Sequence, residues 1–335
     1  MRLRFFFLSG LVVFLLLHGF AQERIPKADE PIRVRVDMVS LPVVVTDKTG
    51  RRITDLVQDD FQVFENGVRQ EIAGFAATDE PINVALLLDT SGSTELKLAK
   101  IQNAAISFVH QLHPDDEVAV LSFADDVQLQ QDFTIDRDRN EYGIKKTRTG
   151  EWTVLYEAVW LALEDVLKPV QERKALVVFS DGVDTRSRTA SKGETLELAK
   201  ETGATIYCVY FNTEMDQYRR STKSVLGGSL PPIIMGPYPP TTTGAGTAPD
   251  DYSFGRKYLE SLAENSGGLL FDGMSDLEYA FAEVARELAS QYSIGYYSTD
   301  ERRDGKFRKV QVKLSKPGLV ARTKKGYATK KEKKK

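Results

Sequence analysis

From Ile82 onward the chain alternates between short apolar runs and longer segments whose apolar residues recur at helical spacing. Residues 83–88, 118–123, 127–133, 175–180, 204–210 and 268–271 read as strands, the first and fourth apolar enough to be buried on both faces. Residues 94–112, 153–167, 191–202, 252–265 and 276–290 carry the helical period, and 135–150 is a polar segment without one. Only Ala124-Asp125-Asp126 joins the second and third strands, too short for a crossover, so that pair must be an antiparallel hairpin. Strand–helix alternation with one antiparallel strand predicts an α/β fold: a doubly wound, mostly parallel sheet covered by helices, in strand order 3-2-1-4-5-6.

The flanks have a different pattern. Residues 32–75 are rich in β-formers, with a turn at Asp47-Lys48-Thr49-Gly50 and a strong hairpin signal at Asn66-Gly67. Strand character returns at 291–297 and 307–314, with Asp304-Gly305 as a turn between them. Neither flank looks self-sufficient. Residues 32–76 and 291–327 are therefore expected to join into one small β-sandwich-like domain, with the α/β domain, 82–290, inserted in it. Residues 212–250, rich in proline and glycine, are too long for an ordinary loop and are expected to be functional or disordered. They leave the carboxyl end of strand 204–210 and are expected to overhang that edge. The Lys-rich stretch 328–335 reads as a solvated tail, and no internal repeat is found.

Composition narrows the chemistry. Hydrophobic content of 41% and charged content of 28% are those of a soluble globular protein, and a net charge of −3 leaves no footprint for nucleic acid. Cys208 is the only cysteine, so no intramolecular disulfide can form. It lies in an apolar run and reads as a buried, inert thiol. After the leader only His110 and His113 remain as histidines, a poor inventory for zinc enzymes or Ser-His-Asp hydrolases. Arg2 and Arg4 precede the apolar run 5–17, and Gly19-Phe20-Ala21 offers small residues for cleavage. Residues 1–21 thus read as a signal peptide, making the protein secreted or periplasmic, with an uncleaved anchor as the alternative. The apolar run is shorter than the roughly 20 residues of a spanning helix. No transmembrane segment is expected after signal removal.

The candidate chemistry lies at Val84-Ala85-Leu86-Leu87-Leu88-Asp89-Thr90-Ser91-Gly92-Ser93. A buried strand ends in Asp89, and Ser91 and Ser93 stand in the loop above. These are oxygen ligands, suited to a hard cation such as Mg²⁺. Asp181 ends the fourth strand in Val177-Val178-Phe179-Ser180-Asp181-Gly182. In the expected order the first and fourth strands are neighbours at the topological switch point, where ligands bind beyond their carboxyl ends. Two carboxylates distant in sequence thus converge on one crevice.

Asp89, Ser91 and Ser93 resemble the Asp-x-Ser-x-Ser signature of the metal-ion-dependent adhesion site in von Willebrand factor type A domains. That family adds a threonine from a separate loop and an aspartate in an apolar-run-Asp-Gly segment. Thr153, in Gly150-Glu151-Trp152-Thr153, matches the first, with Thr147 and Thr149 nearby, and Asp181 matches the second. Trp152 stands where small residues would be expected. The whole chain is similar to bacterial von Willebrand factor A-related proteins of the Acidobacteria type. In those, Val-Thr-Asp-Lys-x-Gly, Asp-Phe-x-Val-x-Glu-Asn-Gly and a late Gly-Tyr-Tyr recur, matched here at 45–50, 60–67 and 295–297.

The resemblance implies direct coordination of Mg²⁺, or alternatively Mn²⁺ or Ca²⁺, by Ser91, Ser93 and Thr153. Asp89 and Asp181 would act mainly through bound water. It implies a protein partner offering an Asp or Glu carboxylate, with Trp152 and Thr90 as expected partner contacts, and an adhesion switch rather than an enzyme. Two rivals stand beside it: a metal-independent envelope scaffold, and a Mg²⁺-dependent phosphotransferase using a strand-terminal aspartate as nucleophile. Haloacid-dehalogenase-like phosphatases place a second aspartate two residues after the first, where this chain has Ser91. No Walker loop is present. Asp125, Asp126 and Asp184 read as solvated loop acids.

Overall fold

The computed structural model describes residues 38–212, 249–273, 276–300, 302 and 304–329. The expected signal peptide, nearly all of the 212–250 segment and the lysines from 330 onward lie outside the described residues. Before the central sheet come β1 (Val39–Asp47), β2 (Phe61–Glu65), β3 (Val68–Gln70) and β4 (Ile72–Ala76). The central sheet holds β5 (Asn83–Asp89), β6 (Glu117–Phe123), β7 (Val127–Thr134), β8 (Lys174–Ser180), β9 (Thr205–Tyr210) and β10 (Leu270–Asp272). Their spatial order is β10-β9-β8-β5-β6-β7, all parallel except the β6–β7 hairpin. This is the predicted doubly wound order, with β5 and β8 adjacent at the switch point.

The continuous apolar run of β5 is explained by burial on both sides. Val84, Leu86 and Leu88 enter one core with α1 (Leu98–Gln111) and α6 (Leu277–Leu288). Ala85 and Leu87 enter the other, with residues of α3 (Leu155–Leu161), α4 (Lys192–Glu201) and α5 (Pro249–Ser266). Among the described residues, no helix is long and apolar enough to cross a membrane. Cys208 is buried in β9, and burial pushes its thiol well above the usual range.

Three local features depart from the sequence pattern. Residues Gly92–Lys97 form a 3-10 turn before α1, because both the amide and the hydroxyl of Thr94 donate to the Ser91 carbonyl, at 2.9 and 2.8 Å. The polar segment 135–150 contains α2 (Arg137–Lys146), whose end is capped by Asp136 accepting from the amides of Asp138 and Arg139. It buries only Asn140, Gly143 and Ile144, too narrow an apolar face to register as periodicity. The helix expected to 167 changes to a π-helical turn over Ala162–Leu167.

After the central sheet follow β11 (Gln291–Tyr296), β12 (Phe307–Leu314), β13 (Leu319–Arg322) and β14 (Gly326–Ala328). They pair with the strands from the other flank, in sheets β13-β1-β11-β4 and β14-β12-β2-β3. β11 and β12 therefore go to different sheets and do not form a hairpin about Asp304-Gly305. Leu41, Val43 and Val45 alternate inward from β1 onto Phe61, Val63, Tyr292, Ile294, Tyr296 and Val310. Asn66 and Gly67 both have positive φ, 48° and 85°, as a two-residue hairpin between β2 and β3 requires. At one end of this core the Glu65 carboxylate is buried against Arg308 at 3.1 Å and accepts the hydroxyls of Tyr296 and Tyr327, each at 2.8 Å.

Buried charges join the two layers of structure. The Arg173 guanidinium bonds the carbonyls of Thr78 and Glu80 on the way into the central sheet, and those of Leu288 and Gln291 on the way out. Glu287 of α6 accepts from Arg52 and Arg322, one from each flank.

Candidate metal centre

The parallel register of β5 and β8, with Leu88 opposite Phe179, brings Asp89 level with Ser180 and sets Asp181 just beyond. Asp89 is fully buried. Its Oδ1 accepts the Ser91 amide at 3.0 Å and the Ser91 hydroxyl at 2.6 Å, while Oδ2 accepts the Ser180 hydroxyl at 2.7 Å. The Ser91 and Ser93 oxygens lie 3.1 Å apart, and Ser93 Oγ lies 3.2 Å from Asp181 Oδ2. A hydroxyl has one proton and two lone pairs. Ser91 spends its proton on Asp89, so the Ser93 proton divides between Ser91 and Asp181, and acceptor capacity remains on both serines. Four of the five expected ligands are thus joined in one chain, Asp89–Ser91–Ser93–Asp181.

Thr153 comes from a separate loop packed against this one. The Gly150 amide donates to the Thr90 carbonyl at 3.0 Å. A Cβ on Gly92 would meet the carbonyl oxygens of Glu151 and Gly150 at 3.2 and 3.3 Å, so the two loops approach as closely as backbones allow. Thr153 itself is buried, its amide donating to the Thr185 hydroxyl at 2.9 Å and its carbonyl accepting from the amides of Thr185 and Arg186. Its own hydroxyl makes no hydrogen bond among the described residues, so no such bond ties it to the other four. Of the nearby alternatives, the Thr147 hydroxyl closes the end of α2 on the Ile144 carbonyl, and Thr149 is exposed.

Burial first, and the charge of Asp181 second, push the Asp89 carboxyl up to about 7, against the bonds from Ser91 and Ser180 that favour its ionised form. Two carboxylates with neutral hydroxyls between them form a donor set that a hard cation would relieve of its repulsion, so the residues present fit a divalent ion. Among the described residues no group of three or more His, Cys, Asp or Glu side chains is placed to hold a metal. Any cation here would depend on the hydroxyls. His110 and His113 pair with Glu141 and Asp115 instead.

The remaining sequence expectations divide. Trp152 is exposed by 38% at the rim, with the Arg186 guanidinium 5.4 Å from its ring centroid. Thr90 is buried, its hydroxyl donating to the Phe123 carbonyl at 3.2 Å, so it braces β6 rather than presenting a surface. Asp184 and Asp125 are structural rather than merely solvated. Asp184 accepts the Tyr156 amide at the start of α3 and the Ser187 hydroxyl. Asp125 accepts the amides of Glu151 and Trp152, at 3.1 and 3.0 Å, and so shapes the threonine loop. Ser180 was not singled out from the sequence. Its only signal was its place before Asp181, and its hydroxyl matters because the parallel register sets it level with Asp89.

Residues 84–183 match the family model described as von Willebrand factor type A domain. Solved structures to which the chain is similar include BatB from Bacteroides thetaiotaomicron, described as a conserved hypothetical protein. It is 16% identical with a TM-score of 0.44, the match covering 62% of this chain and 97% of that one. A von Willebrand factor type A protein from Catenulispora acidiphila is 13% identical with a TM-score of 0.45, covering 81% and 72%. Proximal thread matrix protein 1 from the mussel byssus, solved with a zinc-occupied MIDAS motif, is 16% identical with a TM-score of 0.44, covering 66% and 48%. No curated protein matches the chain.

Proposed function

We propose that the protein is an exported binding module that captures an Asp or Glu side chain of a partner protein through a divalent cation, Mg²⁺ in the first place, with Mn²⁺ or Ca²⁺ as alternatives. Ser91, Ser93 and Thr153 would hold the ion through neutral oxygens, and Asp89 and Asp181 would hold its waters. A cation so held keeps uncompensated charge along its open direction and supplies a position that an incoming carboxylate can complete. The observation that carries this reading is the hydrogen-bonded chain Asp89–Ser91–Ser93–Asp181 beside a Thr153 hydroxyl that makes no hydrogen bond among the described residues. Asp89 is buried with both oxygens engaged by Ser91 and Ser180, a poor position for a phosphoryl-accepting nucleophile and a good one for orienting water.

Calorimetric titration of Mg²⁺ and Mn²⁺ into the wild type and Asp89→Ala tests the proposal. Loss of a group that orients coordinated water lowers metal affinity roughly 10- to 100-fold. Equal affinity in the two proteins, or no uptake by either with an acidic partner peptide present, rejects it in favour of the metal-independent scaffold.

A further inference from the structure

The rim of the site carries a cation whose charge is poorly answered. Arg186 follows Thr185, and its amide donates to the Thr153 carbonyl at 3.0 Å, which fixes its backbone beside the threonine of the metal centre. Its guanidinium lies over the Trp152 ring, 5.4 Å from the centroid. Among the described residues the carboxylate paired with it is that of Asp125, with Nη1 3.9 Å from Oδ1. That is beyond hydrogen-bond length, and both Asp125 oxygens already accept amides, from Glu151 and Trp152. The Arg186 side chain remains 43% exposed. A guanidinium over an indole at this distance keeps a cation–π contact while nearly half exposed, and its planar fork of N–H donors can bind a carboxylate through two parallel hydrogen bonds.

We infer that the partner is an acidic protein segment carrying two carboxylates, one for the metal centre and a second, a few residues away, for the fork of Arg186 over Trp152. This rests on the metal-site reading above and adds to it a determinant of which acidic segments bind. The logic is charge complementarity. A divalent cation and a guanidinium on neighbouring loops offer two separate positions for a carboxylate, and a single acid fills only one. Trp152 supplies a cation–π partner for the guanidinium.

The probe is a set of synthetic peptides of equal length with one Asp, or with a second Asp two, three or four residues on, titrated calorimetrically into the full chain saturated with Mg²⁺. The readout is the ratio of two-acid to one-acid affinity within each protein. An exposed but preorganised pair of this kind is expected to give a ratio of roughly three to ten at the best spacing in the wild type. Arg186→Gln should bring it to about one. Arg186→Lys, a point charge without the fork, and Trp152→Ala, a fork without its cation–π partner, should each fall between. A wild-type ratio near one at every spacing overturns the inference while leaving the metal reading standing, and so does an undiminished ratio in Arg186→Gln. A phosphoserine peptide that binds where the two-acid peptide shows no advantage overturns the carboxylate assignment. If the one-acid peptide shows no metal-dependent binding, both readings fall together.

Discussion

Asp89 is a carboxyl group set where ionisation is costly. Its pKa is raised by burial first and by Asp181 second, from 3.8 to about 7. Between those values the folded chain holds a proton that the unfolded chain has released, so the metal-free protein loses stability as pH rises through that window. Cation binding must displace the same proton, so metal affinity should rise with pH and level off above about 7. Melting temperatures at about pH 5 and about pH 8, with and without Mg²⁺, check this. The increment from Mg²⁺ should be larger at the higher pH, and Asp89→Asn should flatten the metal-free profile. An increment independent of pH would mean that Asp89 is already ionised. Ser180→Ala removes the donor to Asp89 Oδ2 and should lower Mg²⁺ affinity roughly tenfold by calorimetry, although the sequence marks this serine only by its place before Asp181.

Among the elements, the turn after β8 depends closely on its exact residue. Gly182 has φ of +80°, and a Cβ there would meet the Gly255 backbone of α5 at 2.4 Å, while one on Gly255 would meet the Asp181 carbonyl at 2.7 Å. This pair lets α5 pass directly over the loop that holds Asp181. Gly182→Ala combines a left-handed residue, about 1–2 kcal/mol, with an overpacked contact, about 1–3 kcal/mol. Denaturant titration should show a loss near 3 kcal/mol, against about 1 kcal/mol for Gly50→Ala, whose φ is +85° with nothing within 4 Å. The sheet was legible because its runs are continuous and its one hairpin is too short for a crossover. The switch point then placed Asp89 and Asp181 together from topology alone. α2 was not legible, since three inward residues on a polar helix leave no period. The bracing role of Asp125 was hidden for the same kind of reason: a loop acid bonded to two amides looks, in sequence, like any solvated one.

For the molecule as a whole, the reading of 32–76 and 291–327 as one composite domain makes a direct test. A chain ending at Ser290 lacks β11 to β14, which are the partners of β1, β2 and β4. Its amino-terminal segment should become protease-sensitive, and resistance equal to that of the full chain would sink the composite. Arg173→Ala should leave the carbonyls of Thr78, Glu80, Leu288 and Gln291 without their donor. A loss of about 2–4 kcal/mol is expected from the unsatisfied carbonyls, with limited proteolysis appearing first at those crossings. No local pattern announced these pairings. What the flanks revealed was only that each was incomplete.

The pairing of β1 with β11, Val39 against Tyr296, also fixes an order of events. Leu41, Val43 and Val45 emerge early in synthesis, but Tyr292 and Ile294, on which they close, are made only after the entire central sheet. The α/β core can close on contacts internal to its own segment while the first strand waits with its apolar face uncovered. Pairings so remote in sequence form slowly. In refolding, protection of the β1 amides from hydrogen exchange should lag behind that of β5 and β8. The edge that bears Asp89 and Asp181 would then be assembled before the flanking sheets.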